Sequence, residues 1–391
     1  MKKKSLKNLQ KTFRQKLKTF SKRTFYTLLV LTIMLTVATN LILRQDKFGK
    51  LPDGERLERI KKSPNFRDGA FQNIHHTPDL SEDASYYTIM KDFAFGDKSR
   101  VSPADKIPST KIDLLTLDKS ENVLVWFGHS SYFMQLDGKT ILVDPVFSGA
   151  ASPFSFAVKA FDGTDAYTTD DIPEIDYLFI SHDHWDHVDY ETLLKLKPKI
   201  KNIFCGLGVG AHFEHWGFDL NKIHEEDWNT EIKLEDNFEV HVTPTRHFSG
   251  RGFKRNQALW ASYVLKTPTM QIYIGGDSGY DTHFEEIGNK FGVFDLVILE
   301  NGQYDKSWKY IHMMPDEVLK AAKDLNAKRL FPVHSSKFAL ANHAWDEPLT
   351  KVATLNQELE TPLSLVTPII GQKVEIQNLN QPFDNWWEGL K

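Results

Sequence analysis

Ser181-His182-Asp183-His184-Trp185-Asp186-His187 puts three His and two Asp within six residues, directly after the apolar run 175–180. Two imidazoles at i and i+2 on an extended or sharply turned backbone can converge on one ion. Asp186 and His187 follow closely enough to serve a second ion beside it. Imidazole is a borderline ligand and carboxylate a hard one, a mixture that suits Zn²⁺, with Fe or Mn as alternatives. Two ions need more donors, and the chain offers them at the ends of apolar runs. His247 follows 242–246, Asp277 follows 272–276 and His334 follows 330–333. Sites in α/β proteins are built at such strand ends. Singly each is an ordinary loop residue. With the cluster they complete a set of imidazoles and a carboxylate able to bridge.

His182-x-His184-x-Asp186-His187 with His247, Asp277 and His334 resembles the metallo-β-lactamase superfamily, and within it the N-acyl-phosphatidylethanolamine-hydrolysing phospholipase D group. Supporting segments are Trp126-Phe-Gly-His-Ser-Ser-Tyr132, the run Gln135 to Pro145, Gly276-Asp-Ser-Gly-Tyr280, Pro332-Val-His-Ser-Ser-Lys-Phe-Ala-Leu340 and His343-Ala-Trp-Asp-Glu-Pro348. The resemblance covers roughly residues 50–390. It implies a four-layer αββα sandwich with two Zn²⁺ at one edge of the sheets. It implies one ion held by His182, His184 and His247, another by Asp186, His187 and His334, and Asp277 bridging. Asp144 would support a ligand His from behind, where the residues alone allow an Asp capping the turn before Pro145. A hydroxide shared by the ions would attack phosphorus or a carbonyl. His312 would protonate the leaving group or contact phosphate, its alternative being a surface or capping His.

The elements that must carry these residues alternate between strands and helices after an opening meander. Runs at 123–127, 132–136, 140–143, 175–180, 201–205, 239–243, 262–265, 271–274, 296–299 and 329–333 read as strands. Asp137-Gly138 makes a tight hairpin turn. Helices are expected over 190–196, 281–290 and 315–325. This is a layered α/β protein, one that could hide a weak duplication of its sheet-plus-helix unit. The hydrolase domain is placed at 116–391. Residues 44–115, polar and Pro-punctuated, read as a linker and wrapping segment with little core, its His75 and His76 exposed or locally bonded. In the loop 147–161, Phe154 and Phe156, together with Trp185 in the motif, are expected to form an apolar substrate rim. The alternative for these aromatics, as for Phe147, Phe161 and Trp386-Trp387, is core packing.

Residues 24–43 are uncharged and mostly apolar, about the length that spans ~30 Å of hydrocarbon. They read as a retained transmembrane anchor. The alternative, a cleaved signal peptide, would have a long apolar region and no clear Ala-x-Ala site. Ten Lys and Arg and no acid precede the span, so residues 1–23 form a basic cytoplasmic tail and the catalytic body lies outside the cytoplasm.

The net charge of −4 hides this asymmetry, since the remainder carries −14. A body this acidic is no nucleic-acid binder. The expected partners are a lipid or small-molecule substrate and the membrane, and the oligomeric state is left open. The single Cys205 excludes a disulfide framework and a Cys-cluster metal site, and reads as a small buried hydrophobe. Gly206-x-Gly208-x-Gly210-Ala211 matches a dinucleotide fingerprint but reads as a flexible turn. The segment 128–132 begins like a nucleophile elbow and lacks its final Gly. Against lipid phosphodiester hydrolysis stand lactone, ester or amide hydrolysis, β-lactamase-like chemistry included, at the same two-metal site. From another class stands a metal-holding envelope protein without turnover.

Overall fold

A computed structural model describes residues 2–391, with side chains from Lys11 onward; the first ten side chains of the basic tail lie outside the described residues. The chain forms two compact units that divide after Phe48. The first holds one continuous helix, Lys2–Leu43. It runs through the basic tail as well as the apolar stretch, because Lys, Gln and Leu are good helix formers and no Gly or Pro interrupts them. Its segment Lys11–Leu43 is long and apolar enough to cross a membrane.

The second unit is built on two seven-stranded sheets. One runs in the order Lys373–Glu375, Val123–Trp126, Tyr132–Leu136, Lys139–Val143, Ile175–Phe179, Ile200–Gly206, Ile223–Glu226. The other runs Glu231–Lys233, Glu239–Thr243, Ser262–Lys266, Gln271–Ile274, Leu296–Glu300, Arg329–Val333, Ser364–Leu365. Each begins with four antiparallel strands and continues with three parallel strands. The two halves therefore repeat one strand plan, with Lys139–Val143 and Gln271–Ile274 in equivalent places.

Strand side chains alternate between faces. Leu124, Trp126, Tyr132, Met134, Ile141, Phe179, Ile272 and Ile298 point into a core between the sheets. Val125, Phe133, Leu142 and Leu178 point to a second core under the helix Tyr190–Leu196. Tyr273, Val297 and Leu299 point to a third under the helices His283–Phe291, Pro315–Asp324 and Glu347–Gln357. Both faces are covered, which is why these strands read as near-continuous apolar runs. The result is the metallo-β-lactamase fold, two mixed sheets flanked by helices.

The segment before residue 116 is more structured than its composition suggests. It holds helices Gly54–Ile60 and Tyr86–Phe95 and a small hairpin, Phe66–Arg67 with Ala70–Phe71. Ile60, Phe71 and Ile107 are buried in the inter-sheet core. Among the fingerprint glycines, a Cβ on Gly206 would lie 2.2 Å from the Leu259 carbonyl oxygen, and Gly208 sits at φ +93°. These glycines serve close packing against 257–259. Cys205 is fully buried.

Candidate metal centre

The parallel strands end on one edge of the sandwich, and the polar residues that follow them converge there. Ile175–Phe179 leads into His182, His184, Asp186 and His187; Gln271–Ile274 leads to Asp277; Arg329–Val333 leads to His334. His247 follows Glu239–Thr243. All are buried except His184, which is half-buried. The His184 Nδ1 lies 2.8 Å from His182 Nε2 and 3.3 Å from His247 Nε2. Asp277 Oδ2 lies 3.2 Å from His187 Nε2 and 3.8 Å from both His182 Nε2 and His247 Nε2, while its Oδ1 is 3.2 Å from His334 Nδ1. Asp186 Oδ2 is 3.4 Å from His187 Nε2. Asp277 thus reaches ring nitrogens of His182 and His247 with one oxygen, which also lies near His187, and of His334 with the other.

The donor set fits a pair of cations. His187 Nε2 and Asp277 Oδ1 are buried with no hydrogen-bond partner. Leaving such atoms unpaired is costly, so a ligand is expected where they meet. Three ring nitrogens crowded within hydrogen-bond distance also satisfy one another poorly unless a cation sits among them. Burial holds His182, His247 and His334 well below the usual imidazole range and His184 at about 4, so these rings are neutral at pH 7, the state a metal requires. Burial also opposes charge on His187, but Asp277, Asp186 and Asp144 outweigh it and raise this ring well above its ordinary value. Burial raises Asp277 to about 6, against the pull of His187.

Groups behind the cluster fix its orientation. Asp144 Oδ2 lies 2.8 Å from His187 Nδ1, and the carboxylate accepts from Ser181 N at 2.9 Å and Ser181 Oγ at 2.6 Å. One Asp at the end of Lys139–Val143 therefore holds the ring of His187 and the backbone entering His182. His312 stands beside the cluster, its ring centroid 5.0 Å from that of His247, with Nδ1 2.6 Å from Glu300 Oε2.

Several site residues carry no strong sequence signal. His129 Nε2 lies 2.9 Å from Asp186 Oδ2, and its ring packs 4.1 Å from that of His334. Its signal is the same as for the others, a His just past an apolar strand. His129, Asp144 and His334 all adopt the left-handed region, at φ 54°, 39° and 67°. Such backbone costs ~1–3 kcal/mol per residue and collects at functional sites. Asn73, in the segment read as a linker, brackets His247: its Nδ2 donates to the His247 carbonyl at 2.8 Å and its Oδ1 accepts from His247 N at 3.1 Å. Asp183 Oδ1 accepts from Gly250 N at 2.7 Å, and its Oδ2 is 3.2 Å from His212 Nε2.

Above the cluster opens a cleft of about 450 Å³ floored by His184, Asp186, His247, Asp277, His312 and His334. Its walls include Leu80, Ile89, Phe93, Phe248, Trp308, Ile311 and Leu340. The expected rim lies elsewhere. Phe154 and Phe156 stack on each other at 5.6 Å, Trp185 lies under the Arg251 guanidinium at 3.8 Å, and none of the three lines the cleft. The helix Tyr86–Phe95 supplies much of that wall instead. Trp386 and Trp387 pack into the inter-sheet core, and His75 is exposed with Nδ1 2.8 Å from Asp281.

The chain is similar to known proteins. A family model described as the beta-lactamase superfamily domain matches residues 139–335. An uncharacterised Mycobacterium tuberculosis protein is 35% identical over 319 residues, 81% of this chain and 85% of its own length. An N-acyl-phosphatidylethanolamine-hydrolyzing phospholipase D of Caenorhabditis elegans is 28% identical over 263 residues, 63% of this chain and 74% of that protein. The structure of Igni18, a metallo hydrolase from Ignicoccus hospitalis, superposes with a TM-score of 0.50 at 19% identity, covering 65% of this chain and 98% of that one. Fold, clustered His and Asp donors and relatives agree: the chain belongs to the metallo-β-lactamase superfamily of metal-dependent hydrolases.

Proposed function

We propose that this chain is a membrane-anchored, two-zinc phospholipase D-like hydrolase that cleaves the phosphodiester of N-acyl-phosphatidylethanolamine-type lipids. The observation that carries the reading is an apolar cleft opening straight onto a buried His/Asp cluster, in a chain similar to a phospholipase of that specificity. A lipid needs both parts, a dry wall for acyl chains and a polar floor for the phosphate. His182, His184 and His247 would hold one ion, Asp186, His187 and His334 the other, and Asp277 both. A bound pair supplies an ionisable water near neutral pH and positive charge for the phosphoryl oxygens.

The chain's own groups do the rest. Asp144 and His129 keep His187 and Asp186 in register. The apolar walls exclude bulk water and strengthen electrostatics at the floor. Glu300 holds Nδ1 of His312, leaving Nε2 to deliver a proton to the leaving oxygen. The apolar helix within Lys11–Leu43 would anchor the protein, with the N-terminus in the cytoplasm and the catalytic body outside.

The test uses the full chain, zinc-loaded, on vesicles containing N-acyl-phosphatidylethanolamine, beside an Asp277→Asn variant. N-acylethanolamine and phosphatidic acid are expected by mass spectrometry from the native chain only, with a rate loss in the variant of at least about 10³-fold. Intact lipid from folded, zinc-loaded protein would remove this substrate and bring lactone or ester hydrolysis forward. Turnover by the variant would remove Asp277 from the chemistry.

A further inference from the structure

The helix Tyr86–Phe95 (YYTIMKDFAF) opens with a capping box between Ser85 and Thr88, yet none of its residues is buried. Most helices of a folded body bury an apolar stripe. This one is apolar on both sides. Tyr86, Ile89 and Phe93 line the cleft above the metal-ligand cluster. On the remaining surface, Tyr87 is 76% exposed, Met90 70% and Phe95 85%. Its only charges are Lys91 and Asp92, which cancel. The flanks are tied down while the helix is not. Ahead of it, Ser81 N donates to Ser307 O at 2.8 Å, and Asp79 Oδ2 accepts from Arg255 at 2.9 Å. Behind it, Trp345 N donates to Arg100 O at 2.8 Å. Among the described residues, the helix's one ring-stacking contact to the body is Phe93 on Trp308 at 6.3 Å.

We infer that the outer face of this helix docks in a lipid surface, so that its inner face forms a continuous apolar path from the bilayer to the metal centre. The inference rests on the lipid-hydrolase reading above and adds the surface through which substrate is taken. The occupant is a bilayer on two grounds. The same chain carries a helix, within Lys11–Leu43, long and apolar enough to cross a membrane, and the body follows it within a few residues along the sequence. Exposed aromatics and Met on a helix of zero net charge are also the composition of an interfacial contact that relies on apolar burial rather than on anionic headgroups. The loop that gives Phe248 and Arg255 to the cleft adds Phe253, 83% exposed.

The test places a polarity-sensitive fluorophore at Met90→Cys in the full chain reconstituted into vesicles. Labelling is selective because the native Cys205 is buried. A second label at Val293→Cys, exposed at the opposite ends of the strands from Glu300, serves as control. The Met90 label should blue-shift and be quenched by brominated lipids, and the Val293 label should do neither. The double variant Tyr87→Glu/Phe95→Glu should lower hydrolysis of vesicle lipid at least tenfold and leave turnover of a water-soluble phosphodiester within twofold. A Met90 label as wet as the control overturns the docking inference whatever the activity. A label shielded equally without lipid, in a particle of doubled mass, overturns it in favour of a second copy of the chain. A quenched label in a protein that cleaves no diester sinks the phosphodiesterase reading and leaves the docking face standing.

Discussion

Asp144 shows how much one buried carboxylate can organise. It binds no ion in the proposed arrangement, yet it holds the back nitrogen of His187 at 2.8 Å and both the amide and the hydroxyl of Ser181. That geometry fixes which ring nitrogen of His187 carries the proton and turns Nε2 toward Asp277. Removing the negative charge should make His187 a weaker ligand. Groups in this position typically contribute 10- to 100-fold to metal affinity. Asp144→Asn, which keeps the shape and can still accept from Ser181, is therefore expected to weaken zinc binding by about that factor. Competition with a fluorescent chelator measures it, and unchanged affinity would show that Asp144 serves the turn alone.

At the scale of elements, the site depends on how closely strand ends approach one another. Gly276 lies between Gln271–Ile274 and Asp277, where a Cβ would sit 2.7 Å from the Ser181 Cβ and 2.8 Å from the Ala261 carbonyl oxygen. Ser181 leaves a strand of one sheet and Ala261 enters a strand of the other, and the two are hydrogen-bonded to each other, so neither yields easily next to His182 and Asp277. Gly276→Ala is expected to cost roughly 1–3 kcal/mol of stability, as overpacking does, and to weaken metal binding as well. Thermal melts and zinc titration of one sample check both, and a variant native in both would show that the strand ends adapt freely.

The strands themselves are legible because both faces are buried and near-continuous apolar runs result. The expected runs at 132–136, 239–243, 271–274 and 329–333 coincide with observed strands. The His and Asp donors stood out because they follow those runs directly. The illegible parts have physical reasons. Ile223–Glu226 and Glu231–Lys233 are short and carry charge at the sheet edges. Tyr86–Phe95 lacks a one-sided apolar stripe, since its apolar residues spread over both the cleft side and the exposed side and none is fully buried. Aromatic content points to Phe154, Phe156 and Trp185 for the wall that this helix forms, because it does not tell which segment lies over the cluster.

For the whole molecule, metal binding and folding are linked. The cluster joins both sheets, with His182, Asp186 and His187 from one and His247, Asp277 and His334 from the other. Ions bound there would hold the halves together and give partners to His187 Nε2 and Asp277 Oδ1, which are otherwise buried and unpaired. A ligand at 100 times its dissociation constant stabilises by about 2.7 kcal/mol, so chelation should lower the Tm by a few degrees, reversibly on adding zinc. The linkage has a definite sign in pH. Ligation needs Asp277 ionised and His187 neutral, and in the metal-free protein burial raises Asp277 to about 6 while the neighbouring carboxylates keep His187 protonated above its usual range despite burial. Protons therefore compete for both groups, and they compete harder as pH falls. His184, held at about 4 by burial, does not compete near neutrality. Zinc affinity should rise across the neutral range and drop steeply below pH 6, with protons released on binding at pH 7. Calorimetry in buffers of different ionisation enthalpy counts those protons. Binding at pH 7 that releases none would show that His187 is already neutral and that the carboxylates around it do not govern its charge.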